Sequence, residues 1–357
     1  VAQKRRPPAP KVHPDARRSP TVGKAVPAGR PGVAGSKTGS SAAPERRPAK
    51  RSGRPGGRPP SAPTVAPAGP RDWIAGARLR TLPLAIAPVA IGTGVALLLD
   101  DGGWHPLRTV LCFAVAIFLQ VGVNYANDYS DGIRGTDSHR VGPARLTGSG
   151  AARPRTVLAV ALGFFALAAL AGLGIVIRTG EWWLLAVGAV AIVAAYFYTG
   201  GKRPYGYYGL GEVFVFVFFG LVATAGTTYV LAGRTILESW VGGAAAGFLA
   251  CAVLMVNNLR DIEQDRTAGK RTLAVLLGSR ASRVVFVLFL VIPYAILAFY
   301  STLYPLAGYV LFTLLLTVPA ALITVTAKTA KELILALQLT SIGALFFGLG
   351  LGAAFAF

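Results

Sequence analysis

The chain is 357 residues long, 53% hydrophobic and only 14% charged, yet it carries a formal net charge of +21. Two cysteines and three scattered histidines exclude a disulfide framework, a zinc cluster and a histidine-centred catalytic constellation. A mean hydropathy of +0.54 points away from a water-soluble enzyme and towards the bilayer.

Residues 1–70 hold fifteen of the 36 Lys and Arg residues against Asp15 and Glu45, fifteen of the 24 prolines, and no Phe, Trp or Tyr. Such a segment has too little apolar surface to offset the entropy of ordering, so a disordered basic arm is predicted. It lacks the apolar stretch of a secretory signal. With no aromatic residues among the basic ones, no nucleic-acid partner is expected, and the arm reads as solvated or resting on anionic lipid.

From residue 71 to 357 the pattern changes. Nine apolar segments, near 82–99, 108–127, 156–177, 182–200, 210–232, 239–259, 284–300, 303–326 and 332–356, approach the ~20 residues that a helix needs to cross a bilayer. They are apolar all round rather than amphipathic, which predicts an all-α polytopic membrane domain over 71–357. Cys112 and Cys251 fall inside two of these runs and read as buried free thiols. Placing the N-terminus in the cytoplasm leaves only Arg108, Arg178 and Arg234 in outer loops. The Lys/Arg bias therefore predicts a cell-membrane protein with its polar loops in the cytoplasm.

Two acidic segments close the second and sixth apolar runs. The first is Asn124-Tyr-Ala-Asn127-Asp128-Tyr-Ser-Asp131 and the second is Asn257-Asn258-Leu-Arg260-Asp261-Ile-Glu-Gln-Asp265. If each helix runs on through its segment, Asn124, Asn127, Asp128 and Asp131 share one face, and so do Asn257, Asp261 and Asp265. Carboxylates at that spacing repel one another unless a cation sits between them, and oxygen-only ligation favours Mg2+. Solvated charges that merely end two helices are the alternative for either segment alone.

Basic residues accompany the acids. Arg140 and Arg145 lie in a Gly-rich stretch after the first segment, Lys202 and Arg203 lie amid Gly and Tyr after the fourth run, and Lys270 and Arg271 follow the second segment. Lys202, Arg203, Lys270 and Arg271 are candidate diphosphate contacts, since charge-assisted hydrogen bonds suit a departing anion. The positive-inside bias alone also places Lys and Arg here. Tyr198 adjoins this polar loop and is a candidate cavity residue. The glycines from Gly206 to Gly211 follow no strand, so they are not a dinucleotide loop.

The segments NDYSDGIRGTD, RVGPARLTGSG, YTGGKRPYGYYGLGE and NNLRDIEQDRTAGKRTLAVLLG, in that order within residues 71–357, resemble the UbiA superfamily of intramembrane prenyltransferases, in particular its menaquinone branch. A third acid of the superfamily's first motif is replaced by Gly135, with Asp137 two residues further on, and Arg78 is followed by Leu79 where relatives tend to have Pro. The resemblance implies helices around a central cavity and transfer of a polyprenyl group from polyprenyl diphosphate to 1,4-dihydroxy-2-naphthoate. It implies Mg2+ held by Asn127, Asp128, Asp131, Asp261 and Asp265, the four aspartates being catalytic. Arg78, Asn124, Arg145, Tyr198, Tyr205, Asn257 and Arg260 are the implied substrate contacts. The same fold with 4-hydroxybenzoate, haem or a chlorophyllide as acceptor, and a cation-coupled transporter, are the other readings. A transporter should carry acids near the midplane, whereas these lie at the run ends.

Overall fold

The computed structural model describes residues 66–99, 104–136 and 145–357. Asp137, Arg140 and the basic arm up to residue 65 lie outside the described residues. All nine apolar segments are helical, and no strand occurs among the described residues.

A short α1 (Pro70–Gly76) leads through a turn at Leu79–Thr81 into α2 (Pro83–Leu99). Then follow α3 (Pro106–Ile133), α4 (Pro154–Thr179), α5 (Leu184–Phe197), α6 (Gly211–Ala232), α7 (Leu237–Arg260), the short α8 (Ile262–Thr267), α9 (Leu273–Tyr300), α10 (Pro305–Thr326) and α11 (Ala330–Ala356). Seven of these are long and apolar enough to cross a membrane, and the pair Pro70–Thr81 and Pro83–Leu99, bent by 47°, makes an eighth. The segment expected at 182–200 forms a helix of only 14 residues, about 21 Å at 1.5 Å per residue, short of the ~30 Å hydrocarbon core.

Local chemistry sets the helix ends. Pro106 and Pro154 stand in the first turns of α3 and α4, where a missing N–H costs nothing. Gly180, with φ 76°, closes α4 in the left-handed conformation that glycine tolerates. Thr329 caps α11 by accepting from the Glu332 amide, while the Glu332 carboxylate accepts from the Thr329 amide. Within α6, Phe216–Val222 is a π-helical stretch.

In the bilayer, helices associate through close packing of small residues. The seam between α2 and α11 is of this kind: a Cβ added at Gly94 would lie 1.9 Å from the Gly352 carbonyl oxygen. The main core is built around α7 with α2, α9 and α11, and a second packs α3 on α4 through Val121, Tyr125, Val157, Ala161 and Phe165. The helices surround a cavity of about 390 Å³.

Candidate active site

The charged side chains of the cavity wall gather at one end. Asn124, Asn127, Asp131 and Arg145 from the first acidic region line that end together with Asn257, Asp261, Asp265 and Lys270 from the second. The sequence places them more than a hundred residues apart, and the fold brings them into one wall.

The first segment is the last turns of an unbroken α3. Asp131 is the most connected member: its Oδ1 accepts from the Tyr207 hydroxyl at 2.7 Å and lies 3.2 Å from Lys270 Nζ, and its Oδ2 lies 3.9 Å from Arg145 Nη2. The Asn127 carbonyl oxygen accepts from Thr199 Oγ1 at 2.7 Å, which fixes its amide. The Asn124 amide donates to the Ala77 carbonyl at 2.9 Å. Asp128 differs. It is 1% exposed, stands outside the cavity wall, and accepts from the Leu146 and Thr147 amides at 2.9 and 2.8 Å.

The second segment is not a continuous helix. Asp261 leaves helical geometry at φ −98° and ψ 9°, separating α7 from α8. Arg260 turns back on it, donating from Nε and Nη2 at 2.7 and 2.6 Å, and also donates to Asn257 Oδ1 at 3.0 Å. Asp265, one turn on, lies 3.7 Å from Lys270 Nζ. The loop closes through the Lys270 amide, which donates to the Asp265 carbonyl at 2.8 Å. One ammonium therefore spans the two acidic segments.

Tyr207 belongs to the same cluster: Lys270 lies 4.8 Å and the Arg134 guanidinium 5.4 Å from its ring centroid. Burial, then the charge of Asp131, pushes its hydroxyl well above the usual phenol range. It remains a proton donor to Asp131. Tyr198 lines the cavity, and its hydroxyl is raised by burial first and then by Glu212, Tyr205, Asp131 and Asp265. Tyr205 stacks on Phe214 with centroids 4.0 Å apart and donates to the Ala194 carbonyl at 2.9 Å. Arg78 lines the cavity from a left-handed backbone, φ 54° and ψ 58°.

Three of the expected basic contacts are placed elsewhere. Lys202, Arg203 and Arg271 are exposed and contribute nothing to the cavity wall. Arg134, within the segment NDYSDGIRGTD but also outside the cavity wall, donates to the Thr199, Gly201 and Ser130 carbonyls and holds the 198–201 loop against α3. Glu212, 5% exposed, accepts from Asn258 Nδ2 at 3.1 Å and ties the start of α6 to α7. In the sequence that contact is marked by Glu212 closing the segment YTGGKRPYGYYGLGE and by the doubled Asn257-Asn258.

Beyond this end the wall is uncharged and mostly apolar, with Val89, Val115, Leu119, Phe218 and Val222. Fold and site together define a polytopic membrane protein with an intramembrane cavity, polar where two acidic segments meet. The model of the UbiA prenyltransferase family matches residues 85–342. A 1,4-dihydroxy-2-naphthoate octaprenyltransferase of Mycobacterium tuberculosis is 46% identical over 302 residues, 80% of this chain and 97% of that one. The protein of the same name from Escherichia coli is 40% identical over 220 residues, 59% of this chain and 70% of its own length. Two solved UbiA homologues share the fold at 17% identity: one from Aeropyrum pernix, with TM-score 0.59 over 75% of this chain and 96% of that one, and one from Archaeoglobus fulgidus bound to GPP and Mg2+, with TM-score 0.55 over 80% and 99%. The chain belongs to the UbiA prenyltransferase family and is an integral membrane prenyltransferase.

Proposed function

We infer that this protein transfers a polyprenyl group from polyprenyl diphosphate to 1,4-dihydroxy-2-naphthoate, with loss of the ring carboxylate as carbon dioxide, giving demethylmenaquinol. The observation that carries the reading is the Lys270 ammonium held between Asp131 and Asp265 at the polar mouth of an apolar cavity. An anionic head and an apolar tail are what such a cavity accommodates, and the names of the relatives supply the two substrates.

The residues suit Mg2+. The acidic donors facing the cavity, Asp131, Asp261 and Asp265, offer only oxygen, as does Asn127 with its carbonyl, and a cation already rests between the two segments. Among the described residues no three Asp, Glu, His or Cys side chains converge closely enough to hold an ion unaided, so water and substrate phosphate would have to complete the ligand set. When bound, Mg2+ would supply Lewis-acid neutralisation of the departing diphosphate. Asp128, with both oxygens on loop amides, serves by holding the Arg145 loop.

The remaining work falls to the chain itself. Lys270 and Arg145 present preorganised positive charge to the diphosphate as the allylic C–O bond breaks. Tyr198 and Tyr205 border the cavity beside them and offer π faces to the allylic cation. The electron-rich naphthoate ring forms the new C–C bond, and its carboxylate leaves as carbon dioxide, returning its bonding pair to the ring. Arg78, at the polar end, is a cationic contact for that carboxylate. The Lys/Arg bias puts the acidic end in the cytoplasm of a cell membrane.

Carboxyl-labelled dihydroxynaphthoate, incubated with the purified protein, geranyl diphosphate and Mg2+, is expected to release labelled carbon dioxide in step with a lipid-soluble product. Label retained in the product, or preferential use of 4-hydroxybenzoate, overturns the assignment of the acceptor.

A further inference from the structure

One polar side chain in the cavity wall has no part in the site described above. Gln120 stands on the face of α3 that also carries Asn124, Asn127 and Asp131, each three or four residues from the next. It lies one turn deeper than Asn124, is only 6% exposed, and has Ala116, Leu119 and Val123 of the same helix beside it in the wall. A glutamine in an apolar run that crosses a bilayer costs free energy unless its amide is satisfied.

That amide is half satisfied. Gln120 Nε2 donates to Thr81 Oγ1 at 3.0 Å, and Thr81 Oγ1 donates to the Arg78 carbonyl at 3.0 Å. The threonine uses its one hydrogen on Arg78, so from Gln120 it can only accept. The amide therefore turns its NH2 towards Thr81 and its carbonyl away. Among the described residues no hydrogen bond reaches Gln120 Oε1. Asn124 is held in the same way, its Nδ2 donating to the Ala77 carbonyl at 2.9 Å. Two amides of α3 thus grip the turn from Ala77 to Thr81, which carries Arg78, and each has a carbonyl oxygen left to accept. Bonds of this kind also join membrane helices. That role accounts for the NH2 groups and leaves the carbonyls unexplained.

A buried carbonyl oxygen needs a donor, and the substrates of the reaction proposed above offer few. The diphosphate and the carboxylate are ionised and only accept, and the prenyl chain does neither. The donors are the two ring hydroxyls of the acceptor. The one at position 1 stands beside the carboxylate and closes an internal hydrogen bond to it, whereas the one at position 4 has no such neighbour. Asn124 lies a turn nearer the acidic residues, and Gln120 lies where the wall is uncharged.

We propose that Gln120 Oε1 accepts a hydrogen bond from the 4-hydroxyl of the acceptor, and so selects aromatic acids that carry a hydroxyl across the ring from the one next to the carboxylate. The proposal rests on the prenyl-transfer reading above and adds a specificity-determining residue to it. Arg78, the cationic contact for the carboxylate, sits on the turn that Gln120 holds, so one unit of structure reads both the acid and the far hydroxyl.

The test compares 1,4-dihydroxy-2-naphthoate with 1-hydroxy-2-naphthoate, which lacks only the 4-hydroxyl. Equilibrium binding of each is measured on the full-length chain in detergent with Mg2+ and geranyl S-thiolodiphosphate, an analogue that does not react on this timescale. The unaltered protein is expected to bind the dihydroxy acid about tenfold more tightly, the scale of one hydrogen bond to an otherwise unpaired oxygen. Gln120→Met keeps the length of the side chain and removes the acceptor. It is expected to cut that preference to within about twofold, with the whole loss falling on the dihydroxy acid, and to leave KM for geranyl diphosphate within about twofold. Gln120→Asn, which draws the amide back by one methylene, is expected to lose the preference likewise and serves if the methionine variant does not fold. Equal affinity for the two acids in the unaltered protein overturns the proposal. So does a folded variant that keeps the preference or weakens both acids equally, because a glutamine that only joins α3 to the turn before α2 cannot discriminate between them. If neither acid binds the unaltered protein, the reading of the acceptor itself fails, a result distinct from any of these.

Discussion

The two acidic segments solve the same electrostatic problem in different ways. In the first, an unbroken helix carries Asp128 and Asp131, and Asp128 is neutralised by two loop amides. In the second, the helix breaks at Asp261, and Arg260 neutralises that carboxylate directly. Each segment thus ties one carboxylate to a neighbouring group, Asp128 to the loop amides and Asp261, which also faces the cavity, to Arg260, and presents another, Asp131 or Asp265, to the shared Lys270. Acids that look equivalent by spacing have unequal tasks.

The largest effects should come from the shared pair. Asp131→Asn and Asp265→Asn are each expected to reduce transfer by on the order of 10³-fold at saturating Mg2+, the scale of losing a preorganised electrostatic contact. Near-normal turnover in both, measured with geranyl diphosphate on detergent-solubilised protein, would remove the basis for treating the segments as one site.

Lys270→Met sharpens the comparison. Transfer should fall by about 10²-fold, because the leaving diphosphate loses a positive partner. Without substrate, however, Mn2+ should bind more tightly than to the unaltered protein, since no ammonium competes for Asp131 and Asp265. Weaker Mn2+ binding, followed by electron paramagnetic resonance, would show that Lys270 only buttresses the loop.

Asp128→Asn should be milder and of another kind. The Leu146 and Thr147 N–H groups go to different oxygens of the carboxylate, so the amide turns an NH2 towards one of them, and losing one charge-assisted bond costs about 1.5–3 kcal/mol. The loop that carries Arg145 loosens, so KM for the prenyl diphosphate is expected to rise about tenfold with a smaller change in kcat and no change in Mn2+ affinity. A loss of Mn2+ binding equal to that of Asp131→Asn would return Asp128 to the ligand set.

The smallest effect is expected outside both segments. Deleting residues 1–65 should leave turnover within about twofold, as composition predicts for a segment without a core. A collapse of activity in the shortened protein would bring the arm into the site.

Much of this was legible in the sequence because hydrophobic runs and acidic run ends are strong one-dimensional signals. The nine segments and the two acidic motifs follow from them. Tertiary reach was not legible. Asp128 and Asp131 lie three residues apart on one helix, and nothing local says that the 145–147 loop will claim the first. The sequence marks Tyr198 and Tyr205 but not Tyr207, which donates to Asp131, because the turn at Tyr205–Tyr208 decides which of three neighbouring tyrosines points at the acids. Composition marks Lys202 and Arg203 as candidate phosphate contacts although both are exposed, whereas Arg134 acts on backbone carbonyls, which the sequence does not mark. The helical continuity assumed for the second segment fails at Asp261, where a buried ion pair with the preceding residue competes with the helix.

The most direct test is a double-variant cycle on Asp131 and Asp265, read as Mn2+ affinity in the presence of geranyl diphosphate. Groups that share one site couple by about 0.5–3 kcal/mol, whereas distant groups add. If the two segments hold one ion and one diphosphate between them, Asp131→Asn with Asp265→Asn weakens binding little more than either substitution alone. Losses that multiply would mean two independent sites and would contradict the account.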